Sequence, residues 1–152
     1  MTTTYQVETM SECVQEMREL WPLHWQEIAL DREKIPLEPD VETFSLLEDC
    51  GQLQIVTVRD EGRLVGYHVS LVRPHLHYRS SLTGYVDMYF VHPDYRAGMT
   101  GVRLFKEAER FLRERGVQRI YTGTKLHHDV GRVLERLGHK QTERLFVKFI
   151  GD

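Results

Sequence analysis

Residues 85–116 read YVDMYFVHPDYRAGMTGVRLFKEAERFLRERG, and this stretch decides the fold. Up to Val91 it is apolar, aromatic or β-branched apart from Asp87, the composition of a strand covered on both faces. His92-Pro93-Asp94 ends the run, and a short loop with Gly98 and Gly101 follows. From Thr100 to Arg115 the period turns helical, with Leu104, Phe105, Ala108, Phe111 and Leu112 on one stripe. A strand feeding a glycine-bearing loop at a helix N-terminus builds an anion site from backbone amides. The N–H groups of the first turn have no partner within the helix, and the macrodipole favours negative charge there. The stretch therefore predicts a phosphate-bearing ligand.

Working outward, Gly116 ends the helix and residues 118–124 read as a strand, giving a βαβ unit with a parallel pair. Upstream, residues 52–59 alternate as a strand should. Asp60-Glu61-Gly62-Arg63 is a tight turn, so residues 64–72 return antiparallel. Residues 74–81 are expected to leave the sheet before the central strand at 83–91. Near the N-terminus, residues 4–7 form a strand. Thr9 and Glu12 then form a capping box that opens a helix to about Leu20, with Val14, Met17 and Leu20 inward. Pro22 is expected to interrupt that helix, leaving a second helical piece at 23–30. Asp40 caps a third helix ending near Cys50, with Gly51 just past it. Residues 130–137 form a short helix closed by Gly138, and residues 143–150 a last strand. The order is β-α-α-α-β-β-β-α-β-α-β, an α/β single domain over residues 1–152 with a mixed, mostly antiparallel sheet flanked by helices.

The length of 152 residues, with 41% hydrophobic and 28% charged, fits one soluble globular domain. A net charge of −3 gives no overall attraction to nucleic acid or an anionic membrane, so neither partner is expected. The opening MTTTYQVETM lacks the pattern of a signal peptide, and no apolar run approaches the roughly 20 residues of a membrane span. Cys13 and Cys50 show no metal spacing and read as reduced thiols of a cytoplasmic protein.

Three features carry a family resemblance. Arg96-Ala97-Gly98-Met99-Thr100-Gly101, led by Val91-His92-Pro93-Asp94-Tyr95, resembles the Gln/Arg-x-x-Gly-x-Gly/Ala signature of the GNAT acetyltransferase superfamily. Leu137-Gly138-His139 looks like the family's Leu-Gly-Phe, and Asp60 to Gly66 like its hairpin before Leu-Val-Gly. Within the family the chain looks like the short acetyltransferase-like proteins encoded by tailed phages. The resemblance implies a sheet splayed between strands 4 and 5 and an acetyl-CoA-dependent N-acetyltransferase, with acetyl-CoA as co-substrate. His75-Leu76-His77 and His127-His128 are weak metal spacings, so no metal is expected. Phe90 and Val91 would meet the pantetheine. The N–H groups of Arg96, Ala97, Gly98, Met99, Thr100, Gly101 and Val102 would meet the pyrophosphate. A homodimer is also common in such a family. Two positions depart from the pattern: Met99 stands where the first glycine belongs, and Leu134 where the family often has a catalytic tyrosine.

Acetylation of an amine needs a base, because an alkylamine titrates near lysine, about 10.4. Asp87 is the candidate, an acid inside an apolar strand that needs either a partner or a role. The chain has eight histidines. His127 and His128 follow the fifth strand and are candidates for the missing acid or a contact to CoA, or else plain surface residues. His24, Trp25, His75, His77, Tyr78 and Tyr89 are the candidates for lining an acceptor site. Trp21, Trp25 and Tyr78 could equally be core, and core is the better assignment for Trp21. Of the twenty Lys and Arg residues, seven lie between Arg96 and Arg119, facing either the 3′-phosphate of CoA or solvent. The acceptor itself, a small-molecule or a protein amine, is not named by any motif. A protein that keeps the fold and binds CoA or a partner without much catalysis is the alternative.

Overall fold

Leu53–Asp60 and Arg63–His75 (β2 and β3) form the centre of the molecule, with both faces of β2 buried. The computed structural model describes residues 2–152, so Met1 of the expected domain lies outside the described residues. The sheet has five strands in the order β1-β2-β3-β4-β5, with β1 at Thr3–Glu8, β4 at Tyr78–Val91 and β5 at Val117–Tyr121. The first four are antiparallel neighbours, and β5 runs parallel to β4.

Helices cover the two faces. Helix α1 (Met10–Ile28) and α2 (Val41–Asp49) pack Cys13, Met17, Leu20, Trp21 and Phe44 against Ile55, Tyr67, Val69 and Phe90. On the other face, α3 (Thr100–Glu114) sets Leu104 and Ala108 against Val56, Val58, Val65 and Val91. A short helix, α4 (Gly131–Arg136), buries Leu134. The helix starts follow their local chemistry. Glu12 Oε2 accepts from the Thr9 N–H at 2.7 Å, and Asp40 Oδ1 accepts from the Thr43 N–H at 2.9 Å.

Three expectations fail for identifiable reasons. Pro22 does not interrupt α1. It is exposed, as is Arg18, whose carbonyl loses its helix partner, so water can replace the missing bond. Residues 74–81 do not leave the sheet, because β3 and β4 continue into a long hairpin in which His75 faces Tyr78. Pro74 sits at a register shift there, where a missing donor does least harm. Residues 143–150 form no strand. Leu145, Phe146, Val147 and Ile150 are all exposed, and the outer edge of β5 has no neighbour in the sheet.

Candidate functional site

The pairing of β4 with β5 runs only from Leu82 opposite Val117 to Tyr85 opposite Tyr121. Beyond that point the strands part, and the outer edge of β4 from Val86 to Val91 faces no strand. The parting begins at a bulge. Val69 pairs with Met88 and Ser70 with Val86, which leaves Asp87 as the extra residue. The side chain of Asp87 is therefore exposed rather than buried in the strand, and it has no hydrogen-bond or ion-pair partner among the described residues. Desolvation by the surrounding protein still raises its pKa.

At the end of that free edge lies the glycine loop. The Arg96 N–H bonds the Pro93 carbonyl at 3.2 Å, and the first backbone bond of α3 runs from Arg103 to Met99 at 2.9 Å. The N–H groups from Ala97 to Val102 have no acceptor among the described residues, so six consecutive amides stand open at the helix N-terminus. A Cβ added at Gly98 or Gly101 would meet nothing within 4 Å. The loop thus has room for a ligand where a side chain would intrude. Met99 adopts φ −94°, which any residue adopts, so the absent glycine does not strain the backbone. The donor set fits a pyrophosphate.

The side chain of Arg96 is occupied otherwise. Its Nε donates to the Val91 carbonyl at 2.7 Å, its Nη2 bonds both Glu27 oxygens at 2.8 and 2.9 Å, and its Cζ lies 5.3 Å from the Phe90 ring centroid. Glu27 also draws in the loop after β5. His127 Nε2 lies 3.1 Å from the Glu27 carbonyl, and His128 Nε2 lies 3.6 Å from its carboxylate. One glutamate at the end of α1 therefore links the glycine loop to both candidate histidines across the mouth of the splay. Glu27 was not singled out from the sequence. A signal was present, because an acid in the last turn of a helix opposes the macrodipole and calls for a cation.

The acceptor candidates do not form one pocket. His24 is buried on the inner face of α1, where its Nδ1 is 2.8 Å from the Tyr67 hydroxyl, and burial pushes its pKa down to about 4. It is a neutral packing residue beneath Phe90, with ring centroids 5.1 Å apart. Trp25 is half-buried one position along. Tyr89 belongs to the opposite face. It packs edge-on against Phe105 of α3 at 5.0 Å, and its hydroxyl donates to the Gly123 carbonyl at 2.8 Å, bridging the splay from the α3 side. His75, His77 and Tyr78 cluster at the hairpin end, His75 lying 5.2 Å from His77 and 5.0 Å from Tyr78. His75 lies eight positions along β3 from Tyr67, about 26 Å of strand. Leu134 is core, with 6% exposure, so the position carries no hydroxyl toward the splay. Among the described residues, no group of three metal-ligating side chains could hold a metal ion, and no helix is long and apolar enough to cross a membrane.

The chain belongs to the acetyltransferase (GNAT) family, whose model matches residues 11–139. No curated protein matches it by sequence. Solved structures do match. A ribosomal-protein-alanine N-acetyltransferase from Brucella melitensis biovar Abortus 2308 is 20% identical with a TM-score of 0.73, over 99% of this chain and 100% of its own. The acetyltransferase AAC(6')-Iy, solved with a bisubstrate analogue of CoA and acetylneamine, is 16% identical with a TM-score of 0.72, over 100% of both chains. A transcriptional regulator from Bacillus halodurans C-125 is 22% identical with a TM-score of 0.75, over 97% of this chain and 100% of its own. At these identities the likeness is one of fold, including the five-stranded sheet with its parallel β4–β5 pair.

Proposed function

We propose that this GNAT-family chain transfers an acetyl group from acetyl-CoA to a primary amine by direct attack, with both substrates bound together. The observation that carries this reading is the run of open amides from Ala97 to Val102 beside a strand edge that has no partner. In this reading those amides hold the pyrophosphate, and the edge at Phe90 and Val91 bonds the pantetheine as an added strand would. An N–H of the same edge polarises the thioester carbonyl. Asp87 takes the proton from the amine, directly or through water. Its raised pKa makes it a stronger base than an ordinary aspartate. Acetyl-CoA supplies the acetyl group, and the departing thiolate takes a proton from water or from His127 or His128. A CoA thiol titrates near about 8.5, so the step tolerates a weak acid. The reaction belongs in the cytoplasm, consistent with the free thiols of Cys13 and Cys50.

Leu134 favours a second reading, a protein that binds CoA and a partner with little turnover, because a buried leucine stands where the resemblance places the acid. The narrower likeness to phage-encoded proteins draws no support from the three relatives described. Calorimetric titration with acetyl-CoA, followed by a thiol-release assay against amines and peptides, separates the readings. Binding with turnover supports the transferase. Binding without turnover on any acceptor supports the partner-binding protein, and no binding removes both.

A further inference from the structure

The hairpin end of β4 carries a cluster that acetyl transfer, as described, leaves unused. A cleft of roughly 520 Å³ opens between Tyr78, Arg79, Ser81, Thr83 and Arg119. A second cleft, lined by Arg73 and His75, shares Arg79 with it. No Asp or Glu lines either cleft. Arg73, Arg79 and Arg119 form no ion pair among the described residues, so their guanidinium groups are not already neutralised by a carboxylate. Guanidinium groups gathered around a hollow without carboxylates suit an oxyanion, which each can bind with two parallel donors.

An aromatic floor joins this cleft to the splay. The Arg119 Nη1 donates to the Tyr121 hydroxyl at 3.1 Å. The Tyr121 ring stacks on Tyr85 with centroids 5.4 Å apart and planes 8° from parallel. His75 lies against Tyr85 at 6.3 Å, and Arg119 lies over Tyr78 at 5.7 Å. Thr83, opposite Arg119, is four residues from Asp87, about 13 Å of strand. The Arg119 head turns toward Tyr121, which shortens the span to about 10 Å.

We propose that the amine acceptor carries an anionic group, a carboxylate or a phosphate, about 10 Å from its amine, and that Arg119 and Arg79 seat that anion while the tyrosine pair supports the chain between. The inference rests on the acetyl-transfer reading above and narrows it. A free α-amino acid is too short to reach both ends, and a polycationic amine meets repulsion at the cleft. An extended tripeptide, at about 3.3–3.6 Å per residue, has the required length.

The test compares three acceptors in the thiol-release assay: triglycine, its C-terminal amide, and the same peptide amide ending in phosphoserine. At least one anionic acceptor is expected to show a KM about tenfold or more below that of the neutral amide. Whichever anion wins identifies the source of the charge. Arg119→Gln is expected to erase that gap while leaving KM for the amide and for acetyl-CoA unchanged. An amide as good as both acids overturns the proposal, as does a gap that survives in both Arg119→Gln and Arg79→Gln. Titration with N-acetyltriglycine tests the cleft even without turnover. Binding that weakens about tenfold in Arg119→Gln supports the anion site whatever becomes of the transferase reading, and absent or unchanged binding overturns it. A failure of acetyl-CoA to bind would sink the transferase reading alone.

Discussion

The two ends of β4 offer different groups to a ligand. At the splay end the groups on offer are backbone: six open amides and a free strand edge. At the hairpin end they are side chains: three unpaired arginines and a ladder of tyrosine and histidine rings. A backbone site depends on chain path, so Met99 can replace a glycine without altering φ beyond ordinary values. A side-chain site depends on residue identity at every position. In the readings proposed above, acetyl-CoA takes the first kind of site and the acceptor's anion the second.

The sharpest way to break this contrast is to put a side chain into the backbone site. Gly101→Glu adds bulk and negative charge where a Cβ meets only open space, so the fold is expected to survive. Acetyl-CoA affinity measured by calorimetry should fall on the order of a hundredfold, the loss of two charge-assisted hydrogen bonds. Retained affinity would mean the pyrophosphate lies elsewhere. Asp87→Asn, between the two ends, should lower kcat about a hundredfold with acetyl-CoA binding unchanged, and should remove the rise of rate with pH through the raised carboxylate range. Unchanged turnover would remove Asp87 as the base.

Acid sharpens the contrast in another way. His24 and His68, both under the splay end, are buried and held neutral, with pKa values pushed down to about 4 by desolvation. A depressed folded-state pKa means that the unfolded chain binds protons first. Their stability contribution is therefore complete above about pH 6.5 and is lost as pH falls toward 4, by about 2 kcal/mol per histidine at pH 5. Urea denaturation at pH 7 and pH 5 should show that fall, and His68→Gln should lessen it. An equal fall in the variant would place the acid sensitivity elsewhere. The smallest effect concerns β3 beneath the free edge. A Cβ at Gly66 would sit 2.8 Å from the Phe90 carbonyl oxygen, so Gly66→Ala should cost about 1–3 kcal/mol and lower Tm by several degrees. A Tm equal to the parent's would show that the strands can shift at no cost.

Most of the architecture was legible because its signals are local. The alternation of β2, the Asp40 cap, Gly51 at φ 71° and Gly116 at φ 89° mark element ends that the sequence announces. Failures came where tertiary context decided. Pro22 is tolerated because its side of α1 faces water, and the 143–150 segment has strand composition but no strand to pair with. The glycine loop followed from strand and helix order, and the splay from the family resemblance. The link from Glu27 to Arg96, His127 and His128 did not, since it joins residues about 70 to 100 positions apart. The bulge at Asp87 was equally hidden, because a one-residue slip in register leaves no mark in an apolar run.

The bare C-terminal segment has a practical consequence at the bench. Arg144 and Lys148 precede Leu145 and Phe149 in an exposed stretch with no ladder bonds to hold it out of a protease's reach. Brief trypsin treatment should clip there first, while Lys106 and Arg110 stay protected within the turns of α3. The resulting fragment would keep the sheet and all four helices, a trimmed form for crystallisation and for asking what the tail contributes.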